Sequence, residues 1–306
     1  MTEASRDPGQ TASKRAVLPI CVLYDCTLER SPTYLTFIAS AHNASHDPAL
    51  IAVYDNSPVR QVSLAEEANL FAYSHDPANS GLAAAYNWAL EIAKSHGFSW
   101  LLLLDQDSQL PSIFLASLVD VMELYDTNES VAAIVPFVKD GLAEISPLRV
   151  RFGRLAPLPK ESPSLAECEV TAINSGAAIR VSFIQSLGGF NPNYRLDCLD
   201  HWLFRQIYAQ RKRVALSSSI LEHNLSVSDY RHRVSIERYR SILASEAAFI
   251  TTYKSRAEVP VYLLRLLVRS IRMFIIGRQD IARLTISMIL AISSHPTRSL
   301  EVSLRS

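Results

Sequence analysis

Between Val17 and Val138, short apolar runs alternate with longer segments of helical period. AVLPICVLY, ALIAVYDNS, FAYSHD, SWLLLLDQDS and VAAIVPFV read as strands, and SPTYLTFIASAHNA, GLAAAYNWALEIAKSHG and IFLASLVDVMELY as the helices among them. A strand that is apolar at nearly every residue needs cover on both faces. Strand–helix alternation supplies it, so the pattern predicts a mostly parallel sheet with helices on both sides. Ser31 before Pro32 predicts a helix start, and Gly97 a helix stop. In such sheets ligands bind beyond the carboxyl ends of the strands. That rule singles out the tips at Tyr24, Asp55 and Asp105.

After about residue 140 the rhythm changes. SPLRVRFGRLAPLPKESPS reads as loop, followed by TAINSGAAIR, a Gly188–Gly189 turn and the polar cluster YRLDCLDHWLFRQI. From Ser235 onward the pattern is helical. The expected organisation is a disordered tail over 1–16, an α/β domain over 17–235 with halves 17–135 and 136–235, and an α-helical C-terminal extension over 236–306. The 306 residues are 48% hydrophobic and 20% charged, with 30 basic and 30 acidic groups. Such a balance argues against disorder and against nucleic acid as a partner. The four cysteines form no CxxC pair and no disulfide framework, so reduced thiols are expected. The polar N-terminal stretch lacks the apolar segment of a signal peptide, and no run of about 20 uncharged apolar residues predicts a spanning helix. A cytoplasmic protein is the expectation.

LLLLDQDS places Asp105 and Asp107 at the tip of a buried strand, one residue apart. If the chain stays extended there, both carboxylates project from one face and repel unless a cation sits beside them. Oxygen-rich sites of this kind suit Mg²⁺ or Mn²⁺, with water and phosphate oxygens filling the other positions. On a surface loop, a DxD tripeptide is ordinarily a solvated turn; it is the strand that changes its meaning. In HDPANSGLAAAYNWAL, Asn79, Ser80 and Gly81 open a helix whose backbone N–H groups can receive an anion, and Gly81 permits close backbone approach. Read alone, Asn79 and Ser80 are capping residues.

Taken in order, VLYD, VYDNS, HDPANSGLAAAYNWAL, LLLLDQDS and INSGAAIRVSFIQSLGGFNPNYRLDCLDHWLFRQI resemble the family 2 glycosyltransferases of GT-A fold, in particular their rhamnosyltransferase-like branch. The resemblance covers roughly residues 17 to 240. It implies a donor nucleobase contact from Asp55 with Tyr24 in the same pocket, and a nucleotide site lined by Asn79 and Gly81. It places Asp105 near the ribose or donor sugar and at the metal, Asp107 on the divalent cation, and His223 near the metal and diphosphate. Asp200 falls where the family keeps its catalytic base. The implied activity is inverting, metal-dependent transfer of a single sugar from a nucleotide diphosphate. The leading donor is dTDP-rhamnose, and the acceptor a cell-surface glycan or lipid-linked glycan. Two departures stand out: Asp25 replaces the usual Asn after Tyr24, and Leu199 replaces an acidic residue before Asp200. The Gln-x-x-Arg-Trp signature of processive synthases is absent, which fits single additions.

Two readings compete with that one. A nucleotidyltransferase also presents carboxylates on such a sheet, but DCTLERSPTY after the first strand has no glycine for a phosphate loop. A catalytically inactive relative that binds a nucleotide sugar or serves as a scaffold is the reading outside catalysis. Asp197, three residues before Asp200, reads most simply as a helix cap, and Trp202 as pocket wall or core. In VPVYLLRLLVRSIRMFIIGRQ, Arg265, Arg269 and Arg272 fall on one helix face with no acid between Arg265 and Arg278. A helix of this kind lies on an anionic membrane surface or packs against the protein, and a homo-oligomer is left open.

Overall fold

Each apolar run does become a strand, and its alternate residues serve opposite layers. In the fourth run, Leu101 and Leu103 join one buried cluster while Trp100, Leu102 and Leu104 join the other. Leu18, Ile20 and Val22 face the first cluster from the first run, and Val17, Cys21 and Leu23 the second. Two covered faces explain why the runs are apolar without alternation. Each such side chain contributes roughly 1.5–3 kcal/mol through burial.

The computed structural model describes residues 15–46, 50–151, 154–159, 164–223, 234–255 and 257–294. Apart from its last two residues, the expected tail over 1–16 lies outside them. In chain order the elements begin β1 (Arg15–Leu23), α1 (Pro32–Asn43), β2 (Ala52–Asp55), α2 (Leu64–Glu67), β3 (Ala72–His75), α3 (Leu82–Ser95), β4 (Phe98–Asp105), β5 (Ser108–Gln109), α4 (Phe114–Leu124) and β6 (Val131–Asp140). There follow β7 (Ala143–Ser146), β8 (Leu148–Arg151), β9 (Arg154–Pro157), β10 (Ser164–Leu165), β11 (Val170–Thr171), β12 (Ala177–Arg180), α5 (Val181–Ser186), α6 (Leu199–Ala209) and β13 (Arg213–His223). The chain closes with α7 (Ile236–Tyr253), α8 (Glu258–Ile275) and α9 (Gln279–Ser294). Ser31 caps α1 by accepting the Tyr34 N–H at 3.2 Å, with Pro32 at the first helical position.

The main sheet has the order β10-β13-β6-β12-β4-β1-β2-β3, with β5 added to β13 and β7 to β6. β4, β1, β2 and β3 are parallel, as are β6 and β13. β12 runs antiparallel between β4 and β6. The sequence pattern does not mark that strand, from TAINSGAAIR, nor the long strand β13 between β10 and β6. The Pro-, Arg- and Ser-rich segment expected as loop instead supplies β8 and β9, which with β11 make a small antiparallel sheet, β11-β8-β9. β8 and β9 are made of exposed and half-buried residues, so they lack the apolar signal that marked the main sheet.

The C-terminal helices share a separate cluster that includes Tyr239, Leu243, Leu266 and Ile281. Inside it the Tyr239 and Thr285 hydroxyls are 2.8 Å apart, and Ser270 Oγ donates to the Ala282 carbonyl at 3.1 Å. Phe249 of α7 belongs to the sheet core and joins the two bodies. Among the described residues, no helix is long and apolar enough to cross a membrane.

Candidate functional site

The parallel register sets the site. Leu23 pairs with Asp55 and Val22 with Asp105, so Tyr24, Asp55 and Asp105 all stand at the carboxyl edge of β1, β2 and β4. β4 ends at Asp105, and Gln106 and Asp107 form a turn. The expected extended DxD with both carboxylates on one face is therefore corrected, and the turn has visible causes. Gln106 Oε1 accepts the Tyr24 N–H at 2.7 Å, and Gln106 Nε2 donates to the Tyr24 carbonyl at 3.1 Å. The Gln106 carbonyl accepts from Ser31 Oγ at 2.7 Å. Its neighbour Ser108 is bound to Thr33 through both its N–H (2.7 Å) and its carbonyl (2.9 Å).

The two aspartates consequently face different partners. Asp105 Oδ2 accepts from the Ser175 hydroxyl, and Oδ1 from the Tyr86 hydroxyl at 3.5 Å. Burial pushes the Asp105 carboxyl above the usual carboxylate range. Ser175 and His223 oppose that shift, while Asp107 and Asp200 reinforce it. Burial, with Asp105 and Asp200 nearby, also pushes the Tyr86 phenol up, keeping it a proton donor. Asp107 stands more open and lies 3.5 Å from His223 Nδ1, which is 2.8 Å from Ser108 Oγ. His223 is delivered there by the antiparallel pairing of β13 with β5, where it faces Ser108.

Asp107 and His223 converge, whereas Asp105 is engaged by protein donors on both oxygens. Among the described residues, no group of three or more His, Cys, Asp and Glu side chains could hold a metal ion. The set therefore does not fit a closed protein cage. It does fit a cation with hard-ligand preference that takes its remaining ligands from water and diphosphate.

Asp105, Asp200 and His223 line one cavity of about 550 Å³. Asp200 sits in the first turn of α6, with Oδ1 accepting the His201 N–H at 2.7 Å. Leu199 before it is fully buried, so the unusual apolar residue is a core contact. Asp197 is not the helix cap, a place taken by Cys198. It forms a two-bond ion pair with Arg238 of α7 instead. Trp202 is core. The far wall of the cavity comes from α7 and α8, including Glu246, Phe249, Tyr262 and Arg269. Asn174 lies 6% exposed on the lining, its Oδ1 buried with no hydrogen-bond partner among the described residues. A buried amide oxygen in that state calls for a donor from outside.

The other expected residues lie on the strand edge outside this cavity. Asp55 is fully buried; its carboxylate accepts from Ser57 N (3.0 Å), Gln61 N (2.7 Å) and the Tyr73 hydroxyl (2.9 Å). It thus fixes the loop after β2. Tyr24 is 47% exposed at the rim. Asp25 has φ 48°, a left-handed conformation that Asp and Asn tolerate better than most residues, which explains the exchange for the usual Asn. Asn79 also has a positive φ of 50°. The start of α3 is closed to an anion at three donors: Ser80 N–H goes to Asp76, Gly81 N–H to Asn56 Oδ1 and Ala83 N–H to the Arg195 carbonyl. Gly81 does admit a close backbone approach, but the backbone is that of Arg195, whose oxygen would lie 2.4 Å from an added Cβ.

Sequence reasoning missed Gln106, Asn174, Ser175, Tyr86 and Arg238. The available signal was the polar Asn-Ser pair inside the otherwise apolar TAINSGAAIR.

The family model described as "Glycosyl transferase family 2" matches residues 26–187, just over half of the 306. Crystal structures of TarS from S. aureus are similar at a TM-score of 0.48. One has 12% identity and covers 92% of this chain and 55% of that one. A 1–349 fragment has 14% identity, with 92% and 85% covered. The fragment in complex with UDP-GlcNAc has 16% identity, with 79% and 68% covered. The chain thus spans little more than half the length of the longer TarS chain. No curated protein matches it.

Proposed function

Because the chain belongs to glycosyl transferase family 2 and has its GT-A architecture, we propose that it moves one sugar from a nucleotide diphosphate to an acceptor hydroxyl with inversion at the anomeric carbon. The observation that carries this reading is the shared cavity of Asp105, Asp200 and His223, with Asp107 beside His223. Residues 17–135 carry the nucleotide-sugar half, 136–235 the acceptor half and 236–306 the helical extension.

Asp200 is the general base. As the acceptor oxygen bonds to the anomeric carbon, its proton passes to the Asp200 carboxylate, and the bond to the diphosphate oxygen breaks on the opposite face. Asp107 and His223 would hold Mg²⁺ or Mn²⁺, which when bound supplies charge neutralisation at the leaving diphosphate. Asp105, held by Ser175 and Tyr86, faces the donor sugar or ribose. Tyr24 and the loop fixed by Asp55 shape the nucleobase pocket, and the Asn79–Gly81 turn borders it. The wall from α7 and α8 bounds the acceptor. The rhamnosyltransferase-like order of segments supports dTDP-rhamnose as the first donor to try and a growing glycan on a lipid carrier as acceptor.

The test is turnover of a nucleotide-sugar panel with Mn²⁺ and membrane extract as acceptor source. Asp200→Asn is expected to lower kcat by about 10²–10⁴-fold, while donor still raises the melting temperature. A wild-type chain that binds donors but never turns one over is a binding protein, and the catalytic reading fails.

A further inference from the structure

α8 presents three surfaces. Tyr262, Leu266 and Ser270 are buried. Arg265 and Arg269 turn toward the catalytic cavity, and Arg269 is paired with Glu246 at 2.9 Å. Of the three arginines that the sequence places on one helix face, Arg269 is therefore drawn inward by the half-buried Glu246 of α7, whereas Arg272 is exposed. What faces outward is apolar. Val261, Leu264, Val268, Ile271 and Ile275 follow at three- and four-residue steps, with Phe274 beside them. Leu264 is 61% exposed, Ile271 53%, Phe274 62% and Ile275 75%. A continuous strip of this kind on a water-soluble surface marks a docking face.

Charge identifies the occupant. From Glu258 to Ser294, α8 and α9 with the turn between them, there are five arginines and two acids. Both acids are already engaged, Glu258 by Lys254 at 3.5 Å and Asp280 by Arg278 at 3.0 Å. Arg272 stands exposed within the same stretch as the apolar strip. Exposed cations beside an apolar helix face complement an anionic bilayer, whose acyl boundary takes the one and whose headgroups take the other. With three arginines α8 cannot cross, so it lies flat along its length of about 27 Å.

We propose that α8 is a peripheral anchor for anionic lipid, with the Val261–Ile275 strip in the acyl boundary and Arg272 among the headgroups. Val261 and Arg265 line the cavity as well, so the anchor sets the cavity mouth at the headgroup layer. Resting on the function proposed above, that placement would admit a lipid-linked acceptor sideways from the membrane.

Full-length chain is sedimented with vesicles of phosphatidylcholine alone or mixed with phosphatidylglycerol. Binding is expected to be about tenfold tighter on the anionic vesicles and to fall about fivefold in Arg272→Glu. The double substitution Ile271→Glu with Phe274→Glu should abolish it, with an unchanged melting curve because both side chains are exposed. A chain that stays in the supernatant with anionic vesicles overturns the anchor. So does a dimer, measured by light scattering, that this double substitution splits, since the strip then belongs to a second copy. Donor hydrolysis without vesicles, run on the same samples, reports on the glycosyltransferase reading separately.

Discussion

Arg238, in the first turn of α7, meets Asp197, just ahead of α6, with both guanidinium nitrogens on both carboxylate oxygens, the Nη2–Oδ1 bond being 2.7 Å. The pair ties the helical extension to the segment that aims Asp200. Ser235 supports it by capping α7 through the Arg238 N–H at 3.1 Å.

Removing either partner should therefore reach the candidate site around Asp200. Asp197→Ala and Arg238→Ala are each expected to lower kcat, and a double-mutant cycle in urea should return a coupling energy of about 1 kcal/mol for this half-buried pair. A coupling indistinguishable from zero would mean that α7 is held by apolar packing alone.

Gln106 is expected to act on donor binding rather than on chemistry. Gln106→Ala leaves the N–H and the carbonyl of Tyr24 without their partners, so the rim residue loses its fixed position. KM for the nucleotide sugar should rise about tenfold, the equivalent of one lost hydrogen bond of about 1.4 kcal/mol, with kcat little changed. A fall in kcat at constant KM would place Gln106 in the reaction instead.

Ser108 should tune cation affinity without touching the cation. Its hydroxyl sits on His223 Nδ1 and its backbone is bound to Thr33. Ser108→Ala is expected to weaken Mn²⁺ binding about 10–100-fold, read by electron paramagnetic resonance of free Mn²⁺. Asp107→Ala should weaken it further. EDTA should stop turnover of the wild type, and Mn²⁺ should restore it.

Gly81→Ala is expected to be severely destabilising. Gly81 has φ 89° and ψ −172°, a region open essentially to glycine alone, where another residue carries about 1–3 kcal/mol of strain. The added methyl would also press on the Arg195 backbone. Thermal unfolding should report a loss of several degrees; a change within about one degree would show that the Arg195 loop yields.

The parallel half of the sheet was legible because being covered on both faces leaves an unbroken apolar run, as in LLLL ahead of Asp105. The site tips followed from the parallel register. The second half was harder to read. β12 is only four residues long and follows polar Asn174 and Ser175, while the strands of the small sheet are partly exposed and carry arginines. The DxD turn was illegible for another reason: it depends on a side chain 82 positions from its backbone partner, as Gln106 and Tyr24 are. The same holds for Asp197, whose partner lies 41 positions on. Local capping preference could not anticipate that pair.

Because β12 occupies the slot between β4 and β6, the strands that precede it in the chain leave a gap between those two. The boundary near residue 135 is therefore not a place where the molecule can be cut into two self-standing pieces. β4 and β6 gain their shared neighbour only from Ala177–Arg180, which runs between them in the opposite direction. A chain cut ahead of Ala177 would leave one edge of β4 and one edge of β6 bare, each a template for unwanted strand pairing.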